Sequence, residues 1–377
     1  MRVCLFGTYQ RGHSANRLLR GALGAGGLTV EEIHEPLWEA TPDKGAAYFR
    51  AGSLVRLGTR YSLAARRLAQ RWRARTAPAP LVVVGFGGQL DVVLAQRICR
   101  PRLGIVFAPL VSLTETLVED RQVFPAGSRR ARWVQGLDRR AFAAADLTLV
   151  DTHAHREYLI ELGARREQLA VWHLGFEPEF LQMPPRREGG ARLLFYGRFL
   201  PLHGIETIVR AAHRLGPWAD LVLLGSGPEQ TKVRALARRL GVTVHWKEPV
   251  PLAELPAELA RAAVVLGVFG GSRKAAMVVP NKVYQAAVSG VPLVTRDGPA
   301  LREVLHPGMD CRVCPPEDPE ALAREIRWLL HDPERGARLG RAARAHMLEH
   351  FAPTRQAQRL ATLLNEHFGA RAPAEVA

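Results

Sequence analysis

The residues of this chain best suited to chemistry are cations placed beside helix starts and glycine turns, and the chemistry they suit is holding a phosphate. The principal stretch is Val278–Thr295, VVPNKVYQAAVSGVPLVT. Pro280 and Asn281 interrupt what precedes them, and Asn281 suits an N-cap. Lys282–Ser289 has the apolar spacing of a short helix, Gly290 suits the position just past its end, and Val291–Thr295 reads as a buried strand. A helix that begins in a loop presents free N–H groups, and the ammonium of Lys282 beside them adds charge to the dipole. An ordinary loop–helix–strand unit with a solvated lysine accounts for this stretch about as well when it is taken alone.

Two further steps have the same character. Phe195-Tyr196-Gly197-Arg198-Phe199 follows a predicted strand, so that Gly197 allows close backbone approach and Arg198 offers a planar fork for phosphate oxygens. His203-Gly204 opens the next helix, and Leu224-Gly225-Ser226-Gly227-Pro228 is a second glycine turn with Pro228 at a first helical position. Taken singly, each is more simply a structural turn. Near the N-terminus, Gly7–His13 is a glycine-bounded loop after the first strand. Arg11 there is a candidate contact for a donor or acceptor phosphate, with Gly7 and Gly12 as the flexible points and His13 as a polar contact or a surface residue. Asp91, Glu115 and Asp120 read as helix-start acids, and Asp151-Thr152-His153 as a strand end that caps the next helix. Cys311-Arg-Val-Cys314 lacks a second ligand pair and reads as structure, so no metal site is expected.

These residues need a frame, and the hydropathy pattern supplies one. Short apolar strands (Arg2–Phe6, Leu81–Val84, Leu103–Ala108, Leu147–Val150) alternate with helices, including one from Ser14 with Ser14 as its cap and an arginine-studded one near Leu54–Arg73. The pattern breaks at Glu177–Gly190, a Pro-, Gly- and charge-rich stretch that reads as a linker, and then restarts. The expected fold is α/β: two Rossmann-like domains facing across a cleft, over residues 1–180 and 191–350. A C-terminal helix in 351–377 is expected to pack back on the first domain. A chain of 377 residues with 47% apolar content suits two soluble domains. The absence of a bilayer-length apolar run and of a signal-peptide pattern points to a cytoplasmic protein. The net charge of +16 is spread over helices. That argues against a nucleic-acid binder and leaves attraction to an anionic membrane surface as an expectation beside simple solvated faces.

In this order and spacing, YGRFLPLHGIETIVRAA, LVLLGSGPEQTKVRAL and VPNKVYQAAVSGVPLVT resemble the donor half of retaining, nucleotide-sugar-dependent glycosyltransferases of family 4, which have the GT-B fold. FGTYQRGHSANRLLRGAL and VSLTETLVEDR are similar to the acceptor-side domain of bacterial members that build cell-surface glycans. The resemblance implies a nucleotide-diphosphate sugar as donor, a glycan or lipid-linked acceptor, and no metal or other cofactor. It places Gly197 and Arg198 at the donor diphosphate, and it sets His203 where the family usually has a lysine, with Lys282 supplying the missing charge. Gly204, Gly227, Asn281 and Gln285 complete the implied donor site. The family usually carries two glutamates eight positions apart, and these fall on Met277 and Gln285. That departure leaves two rival readings open: a GT-B-like protein that binds nucleotide or glycan without transfer, and a nucleotide-sugar epimerase or phosphorylase on the same fold.

Overall fold

The computed structural model describes residues 1–38, 51–77, 80–185 and 190–371. The chain divides into two compact units, one of residues 1–174 with 353–377, the other of residues 175–352.

The first unit runs β1 (Arg2–Gly7), α1 (Ser14–Ala25), β2 (Thr29–His34), α2 (Ala51–Arg73), β3 (Leu81–Val84), α3 (Gln89–Ile98), β4 (Gly104–Phe107), α4 (Arg129–Ala144), β5 (Leu147–Val150), α5 (His153–Glu161) and β6 (Leu169–Val171). The second runs β7 (Arg192–Tyr196), α6 (Ile205–Leu215), β8 (Asp220–Leu224), α7 (Gln230–Leu240), β9 (Val244–Lys247), α8 (Leu255–Ala260), β10 (Val264–Leu266), α9 (Arg273–Met277), α10 (Asn281–Ser289), β11 (Leu293–Arg296), α11 (Pro299–Arg302), β12 (Arg312–Cys314), α12 (Pro319–His331) and α13 (Pro333–His350). The last helix, α14 (Pro353–Phe368), belongs to the first unit. Its Leu360, Leu364 and Phe368 are buried in one core with Leu19 and Leu23 of α1, and Gln356 accepts from the Trp172 indole at 3.1 Å.

Each unit holds one six-stranded parallel sheet, ordered β2-β1-β3-β4-β5-β6 and β12-β11-β10-β7-β8-β9. Helices cover both faces of such sheets, so the central strands must be apolar on both sides, and Leu81–Val84 is buried at all four positions. Relative to its first strand, the second sheet has the doubly wound Rossmann order, with the reversal between β7 and β10.

Local details depart from the sequence reading. His13, not Ser14, caps α1, its Nδ1 accepting from Ala15 N at 3.3 Å. Asn281 is the first residue of α10 rather than its cap; Pro280 precedes it and Gly290 closes the helix at φ 75°. Within Asp151-Thr152-His153, Thr152 caps α5 as expected, and Asp151 is buried. Glu177–Leu181 is packed structure and not a free linker. Glu177 and Phe180 are buried, and the Arg344 guanidinium donates to Phe180 O, Leu181 O and Val288 O. Arg186–Gly189 of that stretch lie outside the described residues. All four cysteines are free and buried; burial pushes the Cys4 and Cys314 thiols up to about 12, so they stay protonated.

Candidate functional site

In open α/β sheets, ligands bind beyond the carboxyl ends of the strands where the strand order reverses. In the second unit that point is the end of β7. The backbone there is packed too tightly for side chains. Gly197 takes φ +124°, and a Cβ on Gly225 (φ +133°), at the end of β8, would lie 2.0 Å from Gly197 O. A Cβ on Gly197 would lie 3.1 Å from the Nζ of Lys282. A side chain at 197 would press on the end of the lysine and would be strained at this φ.

Lys282 sits in the first turn of α10 with only 7% of its surface exposed. Its Nζ lies 3.7 Å from the centre of the Phe195 ring and has no hydrogen-bond partner. A ring face attracts a cation, but it replaces only part of the lost hydration. Burial accordingly pulls the Lys282 amine well below its ordinary 10.5. The helix that carries it is braced from behind: Glu177 accepts from Asn281 Nδ2 at 2.8 Å and from Gln285 Nε2 at 2.7 Å. The Tyr196 hydroxyl lies 2.9 Å from Lys282 O and 3.2 Å from Gln285 Oε1.

His203 differs from the expectation of a second cation. It is buried, its Nδ1 is committed to the carbonyl of Arg198, and its ring lies edge-on to Phe195. Burial first, and then the charge of Lys282, hold its pKa well below 6.5, so in the unliganded protein it is neutral. With the proton on Nδ1, Nε2 is an acceptor and cannot hold a phosphate oxygen. The exposed Arg198 side chain stands at the same strand end. Gly204 and Gly227 are fixed by packing: a Cβ would lie 2.5 Å from the Phe269 carbonyl carbon and 2.6 Å from Phe199 backbone atoms. Met277 ends α9 and is buried.

Gln285 bears on the family pattern directly. Replacing it by Glu restores the usual residue type but sets a second carboxylate against Glu177. We expect Gln285→Glu to lose about 1–3 kcal/mol of stability at pH 7.5. The like charge raises one carboxyl pKa, so the loss shrinks as pH falls through that raised value. Urea unfolding of both proteins at pH 7.5 and 5 reads this, and an equal loss at both values removes the carboxylate explanation.

The first unit brings Gly7, Arg11, Gly12 and His13 to the end of β1. Arg11 makes a bidentate pair with Glu32, at 3.1 and 2.6 Å, on the surface. The His13 ring stacks on Phe86 at 4.0 Å and caps α1 through Nδ1. Gly7 is required because a Cβ would lie 2.5 Å from Asp91 Oδ2. Asp91 lies in the first turn of α3, as expected, and is buried. Its buried carboxyl accepts from Thr8 N at 2.7 Å, from Thr8 Oγ1 and from the Tyr61 hydroxyl at 3.1 Å. Burial raises its pKa.

A second buried network escaped the sequence reading. His155 lies between Asp151 Oδ1, 2.8 Å from Nδ1, and Glu115 Oε2, 3.2 Å from Nε2, all without solvent contact. Burial disfavours the charged ring, but Glu115 and Asp151 together outweigh it and raise the His155 pKa to about 10. Nearby, the Asp138 carboxylate accepts from Leu113 N, Thr114 N and Thr114 Oγ1, and burial raises it to about 6. The segment after β4, including the π-helical turn Glu115–Asp120, is held by these groups. The only sequence signal was the i,i+4 spacing of Asp151 and His155.

The fold is that of the GT-B glycosyltransferases. HepE of Anabaena, solved with UDP and glucose, superposes with a TM-score of 0.72 at 16% identity, covering 97% of this chain and 100% of that one. Sucrose-phosphate synthase of Thermosynechococcus elongatus gives 0.72 at 17% identity, covering 98% and 100%. Sequence narrows the class. Residues 177–346 match the family described as Glycosyl transferases group 1. The chain is 30% identical over 298 residues to D-inositol 3-phosphate glycosyltransferase 1 of Catenulispora acidiphila, spanning 70% of this chain and 69% of that one. It is 33% identical over 183 residues, 46% of this chain and 47% of the other, to the GDP-mannose-dependent alpha-(1-6)-phosphatidylinositol monomannoside mannosyltransferase of Mycolicibacterium smegmatis. The chain belongs to the group 1 glycosyltransferases and is an enzyme of that class.

Proposed function

We propose that this enzyme moves a sugar from a nucleotide-diphosphate donor, with retention at the anomeric carbon as in family 4, to a glycan or lipid-linked acceptor in surface polysaccharide or glycolipid synthesis. The observation that carries the reading is the buried ammonium of Lys282, which has no hydrogen-bond partner at the switch point of a Rossmann-type sheet. A site that keeps a cation without a counter-ion is arranged for an anion that arrives with the substrate.

In this reading the diphosphate lies against Lys282 and the first N–H groups of α10, with Arg198 closing on it from the strand end. As the glycosyl bond breaks, charge builds on the departing phosphate, and fixed donors in a dry site stabilise it without reorganising. His203 joins only after the diphosphate is bound: the incoming negative charge raises its pKa, and the second ring N–H becomes a donor. Asn281 and Gln285 hold α10 in place through Glu177, and Gly197, Gly204 and Gly227 set the backbone on which the donors sit. The protein's own cations meet the phosphate charge, with neither a metal nor an organic cofactor at the diphosphate. In the first unit we assign Gly7–His13 to the acceptor side. Arg11 is held by Glu32 and reaches a phosphate only by exchanging that partner.

Relatives named for inositol 3-phosphate and phosphatidylinositol mannoside acceptors agree with an anionic acceptor. So does the net charge of +16, with arginines 56, 60, 66, 67, 71 and 73 exposed along α2. Among the described residues no helix is long and apolar enough to cross a membrane. We place the enzyme in the cytoplasm, on the inner membrane face.

The test is thermal stability against UDP, GDP, ADP and CMP, free and as sugar conjugates. A ligand at 100 times its Kd adds about 2.7 kcal/mol. One diphosphate is expected to raise the midpoint of the wild type and not that of Lys282→Ala. A shift that survives in Lys282→Ala removes the lysine from the site, and no shift with any nucleotide removes the donor reading.

A further inference from the structure

We propose that the second unit carries a divalent transition-metal site, remote in sequence from the donor residues, built from His306, Asp310 and His346. His306 and Asp310 bracket the turn between α11 and β12, and His346 comes from α13. Each offers one ligand atom, and the three lie within 4.8 Å of one another. The imidazole rings of His306 and His346 are 4.9 Å apart at their centres. One turn further along α13, His350 brings its ring to 4.7 Å from His346, so two histidines at i,i+4 face the same turn.

The hydrogen bonds around the cluster are those a metal ligand needs. His346 Nε2 lies 3.0 Å from the carbonyl oxygen of Val304, which fixes the proton there and leaves the Nδ1 lone pair bare. A ring N–H held by a backbone carbonyl is the usual outer partner of a ligating histidine. Asp310 is buried and has one oxygen already oriented, Oδ1 accepting from the backbone N of His306 at 2.6 Å. Its Oδ2 faces His306 Nδ1 at 3.0 Å. An ion takes the place of the proton shared by that pair.

The donor set is two imidazoles and one carboxylate, with water completing it. That set suits Zn²⁺, Co²⁺ or Ni²⁺ rather than Ca²⁺ or Mg²⁺, which take oxygen ligands. Ligands of tetrahedral zinc stand about 3.3 Å apart. The exposed His306 side chain supplies the small closing movement. The site's effect is structural. It ties the turn before β12 to α13, whose Arg344 holds the carbonyls of Val288 and Leu181, and so stiffens the frame behind α10.

The test uses the full chain with no histidine tag, stripped with EDTA and titrated calorimetrically with ZnCl₂, followed by thermal melts with and without the metal. One zinc per chain is expected, with a midpoint rise of several degrees that EDTA reverses. Co²⁺ should give visible d–d absorption of a four-coordinate site. His306→Ala and Asp310→Asn should each weaken binding at least about tenfold, since losing even an outer partner of a ligand costs that much. Cys311→Ser should leave it unchanged, because Cys311 is not among the three ligands. His306 is exposed, so its variant is expected to fold with the metal-free midpoint of the wild type. Absence of zinc binding by the wild type, or stoichiometric binding that survives in His306→Ala, overturns the site.

Discussion

Lys282→Met is expected to melt at a higher temperature than the wild type and to lose donor binding. The two effects share one cause. In the free enzyme the ammonium is buried against Phe195 with no hydrogen-bond partner, so the fold bears a desolvation cost that a methionine of similar length does not. Replacing an uncompensated buried cation by an apolar side chain stabilises by about 1 kcal/mol or more. The same substitution removes the charge that meets the diphosphate, and losing one preorganised donor of this kind costs roughly 10²–10³-fold in kcat. Steady-state kinetics and melting curves on the two proteins read both effects.

The pH dependence makes the argument sharper. Lys282 titrates well below 10.5 in the fold and near 10.5 in the unfolded chain, so between those values the unfolded state binds more protons. Wild-type stability therefore gains from this group as pH rises through that window, and Lys282→Met lacks the gain. Donor binding reverses the shift, because the charge of a diphosphate raises the pKa values of Lys282 and His203. Calorimetry in buffers of different ionisation enthalpy should show net proton uptake on nucleotide binding. A variant that melts lower than the wild type and still binds the nucleotide would overturn the assignment.

The second large effect lies in the first unit. His155→Asn is expected to cost about 3–5 kcal/mol, the price of breaking a buried ion pair from one side. It leaves Glu115 and Asp151 buried with no cation between them. The sign of the pH dependence is opposite to that of Lys282. The folded pKa of about 10 lies above the unfolded 6.5, so the stabilisation is complete below about 6.5 and is lost as pH rises through 10. In the variant this loss disappears, and stability instead improves on acidification as the two carboxyls take up protons. Denaturant unfolding between pH 6 and 10 distinguishes the two profiles. A variant with the wild-type profile would show that the imidazole is not charged in the fold.

Much of the frame was legible because it follows from short-range rules. Leu81–Val84 is a four-residue apolar run and Leu147–Val150 holds one threonine among apolar residues; both are buried at every position, and these bounds are the same in sequence and structure. Gly290 at a helix end and Gly197 at a strand end are positions where only glycine adopts the backbone at no strain, so the residue type itself marks them. Glu177–Leu181 was misread because proline and charge mimic a linker. Its Glu177 is tied to Asn281 and Gln285, more than a hundred residues away.

The amino-acid sequence by itself determined that this chain alternates strands and helices into parallel sheets, and that its cations gather where strands meet helices. Local periodicity and backbone sterics suffice for both. Only the tertiary structure decided what those residues are. It made Lys282 a buried cation without a hydrogen-bond partner, His203 a neutral ring held by a carbonyl, Glu177 the brace of α10, and His155 a charged centre between two acids. Protonation and partnership depend on burial and on neighbours distant in sequence, and neither has a period that a sequence can show.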